Sequence, residues 1–167
     1  NVVVSDTSNT DTQAIVVNIT DTNDNSPVLT AAETYSVAEG ETAVGTVTTT
    51  DADAGTTFTY TLSGTDAASF EITKTEGTQA GVLVFKAAST PDFETQTSYS
   101  LNVVVSDTSN TDTQAIVVNI TNVNDNNPVF TSSTSESINE GETSVSTVAA
   151  GDDDGDTIAY SIDSTGR

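Results

Sequence analysis

Residues 99–121 read YSLNVVVSDTSNTDTQAIVVNIT. Tyr99, Leu101, Val103 and Val105 take every second position, between Ser100, Asn102 and Val104. Ile116, Val118 and Ile120 alternate with Val117 and Asn119 in the same way. A period of two places one face of an extended strand against a core, whereas a helix would repeat its apolar positions every 3.6 residues. The richness in Val and Thr favours strand over helix. Ser109-Asn110 supplies turn chemistry between the two runs, so the stretch predicts a hairpin. Asp107 falls on the next position of the inward row, which puts an acid at the end of a buried strand face.

The same text occurs earlier in the chain. Residues 1–20 and 102–121 are identical letter for letter, a spacing of 101 residues. Val37-Ala38-Glu39-Gly40-Glu41-Thr42 returns as Ile138-Asn139-Glu140-Gly141-Glu142-Thr143, and Asp51-Ala52-Asp53 returns as Asp152-Asp153-Asp154. Tyr60 then matches Tyr160, one residue out of step. A period of this length is too long for a solenoid and fits an array of whole domains. One complete unit is expected over 27–126, preceded by the C-terminal part and linker of another over 1–26 and followed by the N-terminal part of a third over 127–167. The two partial units together lack the equivalent of residues 67–101. The 26-residue head is expected to be a hairpin without independent stability.

Within the complete unit, apolar alternation and turn signals at Glu39-Gly40, Ala54-Gly55, Ser63-Gly64, Glu76-Gly77 and Ser109-Asn110 predict strands over 34–37, 43–50, 57–62, 69–73, 81–86, 97–106 and 112–121. Short strands at this spacing imply an all-β fold, a seven-stranded antiparallel Greek-key sandwich repeated in a linear tandem array. Its core is built largely from Val, Ile and Leu, since aromatics make up 5% of the chain.

Composition narrows the chemistry. Three Lys and Arg stand against 25 Asp and Glu, for a net charge of −22. That leaves no basic footprint for nucleic acid or an anionic membrane. The chain has no Cys, His, Met or Trp, so it carries no disulfide framework, thiolate chemistry or nitrogen- or sulfur-ligated metal. No apolar run is long enough to cross a membrane as a helix. Asn1 begins no signal peptide, and the chain reads as a piece of something longer.

Oxygen ligands are concentrated in the stretch linking one unit to the next. Asp21-Thr22-Asn23-Asp24-Asn25-Ser26-Pro27 returns as Asn122-Val123-Asn124-Asp125-Asn126-Asn127-Pro128. Asn, Asp and Pro disfavour a helix here. Two readings follow from these residues: a polar inter-domain linker, or an oxygen-donor site for a hard cation such as calcium. Further acids sit at strand ends rather than on solvated faces: Glu39, the pair Asp51 and Asp53, the pair Asp92 and Glu94, and Asp107. If the backbone stays extended, Asp51 and Asp53 point the same way. Clustered carboxylates repel one another unless a cation lies among them.

The linker DTNDNSP, the SVAEG turn, the DADAG segment, the PDFE loop and the VVVSD strand end occur in the order of cadherin repeats, and the chain resembles that family over the full unit and both partial ones. The near-identity of adjacent repeats and the Thr- and Asp-rich composition resemble the cadherin-type repeats of large bacterial surface adhesins. The resemblance implies calcium at each junction, an extracellular or cell-surface location, and adjacent repeats of the same chain as partners. At the first junction it implies ligands Asp21, Thr22, Asn23, Asp24 and Asn25 from the linker, with Asp51, Asp53 and Asp107. At the second it implies Glu39, Asp92 and Glu94, then Val123 and Asn126 through backbone oxygens, Asn124 and Asp125, and Asp152 and Asp154 from the next unit. Asn122 departs from the family, in which this position is usually Asp, and so removes one negative ligand.

The function expected is a stalk stiffened by calcium for adhesion. Two alternatives remain open at this point: a subunit of an extracellular filament or sheath, with neighbouring copies as partners, and a module binding cell-surface glycans. Catalysis by the paired carboxylates is disfavoured, because no insertion forms a cleft. The Asn18-Ile19-Thr20 and Asn119-Ile120-Thr121 sequons read as plain strand residues.

Overall fold

The structure, a computed structural model, describes residues 1–75 and 79–163. It opens with a hairpin of β1 (Val2–Ser5) and β2 (Thr10–Gln13). The central body follows: β3 (Val28–Thr30), β4 (Thr34–Ala38), β5 (Ala43–Thr50), β6 (Thr59–Ser63), β7 (Phe70–Lys74), β8 (Ala80–Phe85), β9 (Ser98–Ser106) and β10 (Thr111–Thr121). Two short 3-10 turns, Ala67–Ser69 and Ala87–Ser89, flank β7 and β8. A small pair of β11 (Val129–Phe130) and β12 (Ala150–Gly151) completes the described chain. Among the described residues no helix is long and apolar enough to cross a membrane.

The central body is a sandwich of two four-stranded sheets, ordered β4-β10-β9-β6 and β3-β5-β8-β7. All pairings within it are antiparallel except one: β4 runs parallel to β10, with Thr34 opposite Val117 and Ala38 opposite Thr121. The strands differ from the expected seven by the addition of β3. This three-residue strand follows Pro27 and places Val28 opposite Thr50. It was too short to show an alternation of its own. The turn expected at Glu76-Gly77 lies outside the described residues.

The period-two reading of β9 and β10 holds at the level of single side chains. Tyr99, Leu101, Val103 and Val105 are buried, as are Ile116, Val118 and Ile120 on the partner strand. Val47 and Leu83 meet them from the opposite sheet. Phe70, Phe85 and Tyr99 form an aromatic cluster at one side, with ring centroids 4.2, 5.0 and 5.7 Å apart. The two contacts to Tyr99 are edge-on, the arrangement that ring quadrupoles favour.

Residues 1–20 carry the same letters as 102–121 and adopt less of the same structure. Strand β2 stops at Gln13, whereas the equivalent β10 runs on to Thr121. Ile19 is 93% exposed and its counterpart Ile120 is 4% exposed. The difference lies in the neighbours, because β10 is flanked by β4 and β9 along its length. Asn119 accordingly lies within a strand, while Asn18, expected in one, lies in none.

The turn between the hairpin strands is the part that the two copies share. Thr7 and Thr108 both take positive φ, 88° and 85°. In each copy the preceding aspartate accepts backbone hydrogen bonds from the two residues beyond the threonine. A β-branched residue in this region is strained, and the aspartate's bonds offset that strain.

Phe85→Ala removes one of three mutually packed rings and leaves a cavity between the sheets. Chemical denaturation of the full chain should show a loss of about 3–5 kcal/mol from the sandwich transition. Val82→Ala, on the outward face of the same strand, should change it by less than about 1 kcal/mol.

Candidate metal centre

Strand β4 ends at Ala38, and Glu39 follows at the pole where β10 also ends. The Glu39 backbone N–H donates to Thr121 O at 3.1 Å. Gly40 turns the chain at φ 77°, and its N–H donates to Pro91 O at 3.0 Å. This ties the turn to the Pro91-Asp92-Phe93-Glu94 loop. Phe93 packs against the core and anchors that loop, so its two acids face outward. The buried Glu39 carboxylate accepts from Phe93 N at 2.8 Å and from Val123 N at 2.6 Å. It therefore joins loop and linker through one side chain.

Four carboxylates meet here. One oxygen each from Glu39, Glu94, Asp125 and Asp154 lies within 4.8 Å of the others. Asp92 lines the same cavity of 380 Å³, and its own oxygens accept from Thr95 N and Oγ1. Among the described residues no lysine or arginine lines this space. Asp154 is fixed by Asn126, whose backbone N–H and Nδ2 donate to its two oxygens at 2.8 and 3.2 Å.

A second group, Asp152, Asp154 and Asp156, shares Asp154 with the first. Asp156 was not singled out in the sequence, although the alternation Asp152, Asp154, Asp156 was there to be read. The turn at Gly155, φ 75°, brings it round, and Asn124 Nδ2 donates to it. Asn122 uses its amide in a way that Asp21 cannot. Asn122 Nδ2 donates to Asp154 O at 2.8 Å, whereas Asp21 accepts from Ala54 N at 2.6 Å.

At the opposite pole the first linker meets Asp53 and Asp107, with Asp51 bonded to Asp53 beside them. Asp107 is 1% exposed, at the end of the inward row of β9. Its Oδ1 accepts from Ser109 N and Asn110 N at 2.7 and 2.6 Å, while its Oδ2 is buried without a hydrogen-bond partner. Asp51 Oδ2 is in the same condition. The condition under which Asp51 and Asp53 would point the same way, an extended backbone, is not met: the segment is bent, with Asp53 N donating to Asp51 Oδ1 at 2.8 Å. The bend turns Asp53 to the linker, where it accepts from Asn25 N and Nδ2 at 2.8 and 2.6 Å. Asn23 Nδ2 donates to Asp107 O at 3.1 Å, and Asp24 accepts from Asn25 Nδ2. Thr22 is exposed. The oxygens of Asp51, Asp53 and Asp107 are not drawn together as closely as the four at the second junction, and they form no group within 4.8 Å.

Residues 33–121 match the cadherin domain family. The chain belongs to the cadherin family. It is 38% identical over 126 residues to the mouse cadherin EGF LAG seven-pass G-type receptor 2, covering 72% of this chain and 4% of the receptor. It is 34% identical over 170 residues to human protocadherin Fat 1, covering 92% of this chain and 4% of that protein. The chain thus spans a small fraction of the length of these relatives. Among solved structures it resembles human CDH23 EC21-23, with TM-score 0.63, 26% identity, and coverage of 81% of this chain and 48% of that one. Human protocadherin-24 EC1-2 gives TM-score 0.63 and 26% identity over 78% of this chain and 61% of that one. Cadherin domains are extracellular, cell-surface adhesion modules, and that description carries to this chain.

The donor set of this cadherin repeat suits a hard cation. All the convergent side-chain ligands are oxygens, which is the preference of calcium. The two orphaned carboxylate oxygens at the first pole are costly to bury without a partner. At the second pole, mutual repulsion shows in the acidities. Partial desolvation, followed by the charges of Glu39, Asp154 and Asp92, pushes the Asp125 carboxyl above its ordinary value. For Glu94 a backbone hydrogen bond pulls downward, but desolvation and the charges of Glu39 and Asp154 outweigh it, and its carboxyl is raised.

A carboxyl whose folded pKa is raised favours the folded form while protonated, and that contribution disappears as pH rises through the folded value. Without calcium, Glu94 and Asp125 should therefore titrate above ordinary Glu and Asp values by carboxyl-detected NMR. The strain between them should set in as pH rises through that window. Millimolar calcium should move both titrations below the ordinary values, because a bound cation favours the charged forms.

Proposed function

We propose that this chain is a calcium-stiffened segment of an extracellular adhesive rod. It would consist of one complete repeat over 27–126, with parts of its neighbours over 1–26 and 127–167. The observation that carries this reading is the convergence of Glu39, Glu94, Asp125 and Asp154. These four come from the turn that follows β4 of one unit, its acidic loop, the linker, and the N-terminal part of the next unit. A cation held among them links all four segments. Without one, the same charges push the segments apart and the junction bends.

At the second junction Glu39, Asp92, Glu94, Asp125 and Asp154 would hold calcium through carboxylates, with Asn124, Asp152 and the backbone oxygens of Val123 and Asn126 completing the set. At the first junction the linker residues 21–25 would serve with Asp51, Asp53 and Asp107. The unpaired oxygens of Asp51 and Asp107 support that assignment. Extracellular modules bind calcium at about 10⁻⁴–10⁻³ M, a range met outside cells. The letter-identical adjacent hairpins favour a stalk of near-uniform repeats, as in bacterial adhesins. The role is adhesive and mechanical rather than catalytic.

Calorimetry and small-angle scattering of the full chain test the reading. Calcium at about twentyfold over its dissociation constant should add ~2 kcal/mol per filled site. The melting temperature should rise by several degrees, and the particle should lengthen. Asp92→Ala/Glu94→Ala should abolish most of both effects while leaving the calcium-free melting temperature nearly unchanged. If calcium alters neither property in the unsubstituted chain, the linker is only a polar hinge.

A further inference from the structure

The linkers are held unequally by the units on either side of them, and the holding groups are asparagine amides. Asn25 grips Asp53 with its backbone N–H and its side-chain Nδ2 together, at 2.8 and 2.6 Å. Asn126 grips Asp154 with the same two groups, at 2.8 and 3.2 Å. In both cases the aspartate belongs to the segment that follows the linker. The two positions stand 101 residues apart in the repeat, so the arrangement is duplicated within one chain. A carboxylate that accepts from two donors on one residue makes a charge-assisted, two-point contact, stronger than a neutral bond and fixed in direction. The acidities accord with it: the side-chain and backbone bonds from Asn25 hold the Asp53 carboxyl below its ordinary pKa, and at Asp154 desolvation pulls upward but the bonds from Asn126 help to outweigh it.

Other contacts reinforce the grip on the same side. At the first junction Asn110 Nδ2 donates to Asn25 O at 2.8 Å, so the turn between β9 and β10 closes over the clasp. Asp21 accepts from Ala54 N, and Asn23 donates to Asp107 O, both in the following unit. At the second junction Asn124 donates to Asp156. The hold on the preceding unit is concentrated in the Glu39 carboxylate, through Val123 N. None of these contacts needs a cation.

We propose that Asn25 and Asn126 are positioning residues that clasp each linker to the following unit in calcium-free protein. The linker then travels with that unit, and bending is confined to residues N-terminal to the clasp. The ligands carried by the linker stay seated against the next unit's aspartates before any ion arrives. What calcium has to organise is the other half of the junction, around Glu39 and the Asp92–Glu94 loop.

Amide hydrogen exchange of the full 167-residue chain in excess EGTA, followed residue by residue by NMR, tests this. The backbone amides of Asn25 and Asn126 should exchange at least about tenfold more slowly than free-chain rates. Asp154→Ala should abolish the protection at Asn126 and leave Asn25 and Val103 unchanged. Asp53→Ala should do the reverse. Asp154→Asn, which keeps one acceptor oxygen, should retain part of the protection. Free-chain exchange at both asparagines in the unsubstituted protein overturns the proposal, and so does protection that survives both alanine variants. Calcium takes no part in this experiment, so its outcome is separate from that of the calcium titration.

Discussion

Parallel pairing of β4 with β10 decides which pole of the sandwich each acid reaches. Two parallel strands end on the same side, so Ala38 and Thr121 finish together and Glu39 meets the departing linker. The antiparallel hairpin of β9 and β10 turns back at the far pole, and there Asp107 faces the incoming linker. Entry and exit are therefore at opposite ends. Glu39 and the Asp92–Glu94 loop stand at one pole of the sandwich, and Asp53 and Asp107 at the other. An antiparallel β4 would send Glu39 to the other pole and dissolve the four-carboxylate cluster.

Much of this was legible in residue order because the sandwich follows a simple period. The alternation in 99–121 identifies the buried row down to single residues, and it puts Asp107 at the end of that row. The linker acids, Glu39 and the Asp92–Glu94 loop likewise stand out in the sequence by their positions at turns. Three features were not accessible by that route. Strand β3 is three residues long and has no period to detect. The bend at Asp51–Asp53 is closed by a side chain bonding to nearby backbone, which competes with extension and leaves no pattern in hydrophobicity. Asp156 joins its neighbours only because Gly155 adopts positive φ, a backbone choice that a reading of carboxylate spacing passes over.

The two identical hairpins separate local from tertiary causes. Both copies form the aspartate-closed turn with a threonine at positive φ, so about six residues are enough to encode it. The length of the second strand is a different matter. Beyond Gln13 the first copy has no strand, while the same letters in the second copy continue for another turn of pleat after pleat beside β4. Propensity proposes the strand, and cross-strand partners decide how far it extends.

Letter-identity between neighbouring hairpins also bears on how such a chain reaches its native pairing. Strand β4 selects residues 117–121, yet residues 16–20 offer it the same side chains in the same order. The earlier copy is close in sequence and leaves the ribosome first, whereas the correct one lies some eighty residues downstream. Side-chain chemistry cannot tell the two apart. Identical hairpin sequences 101 residues apart thus carry a standing risk of strand exchange during folding.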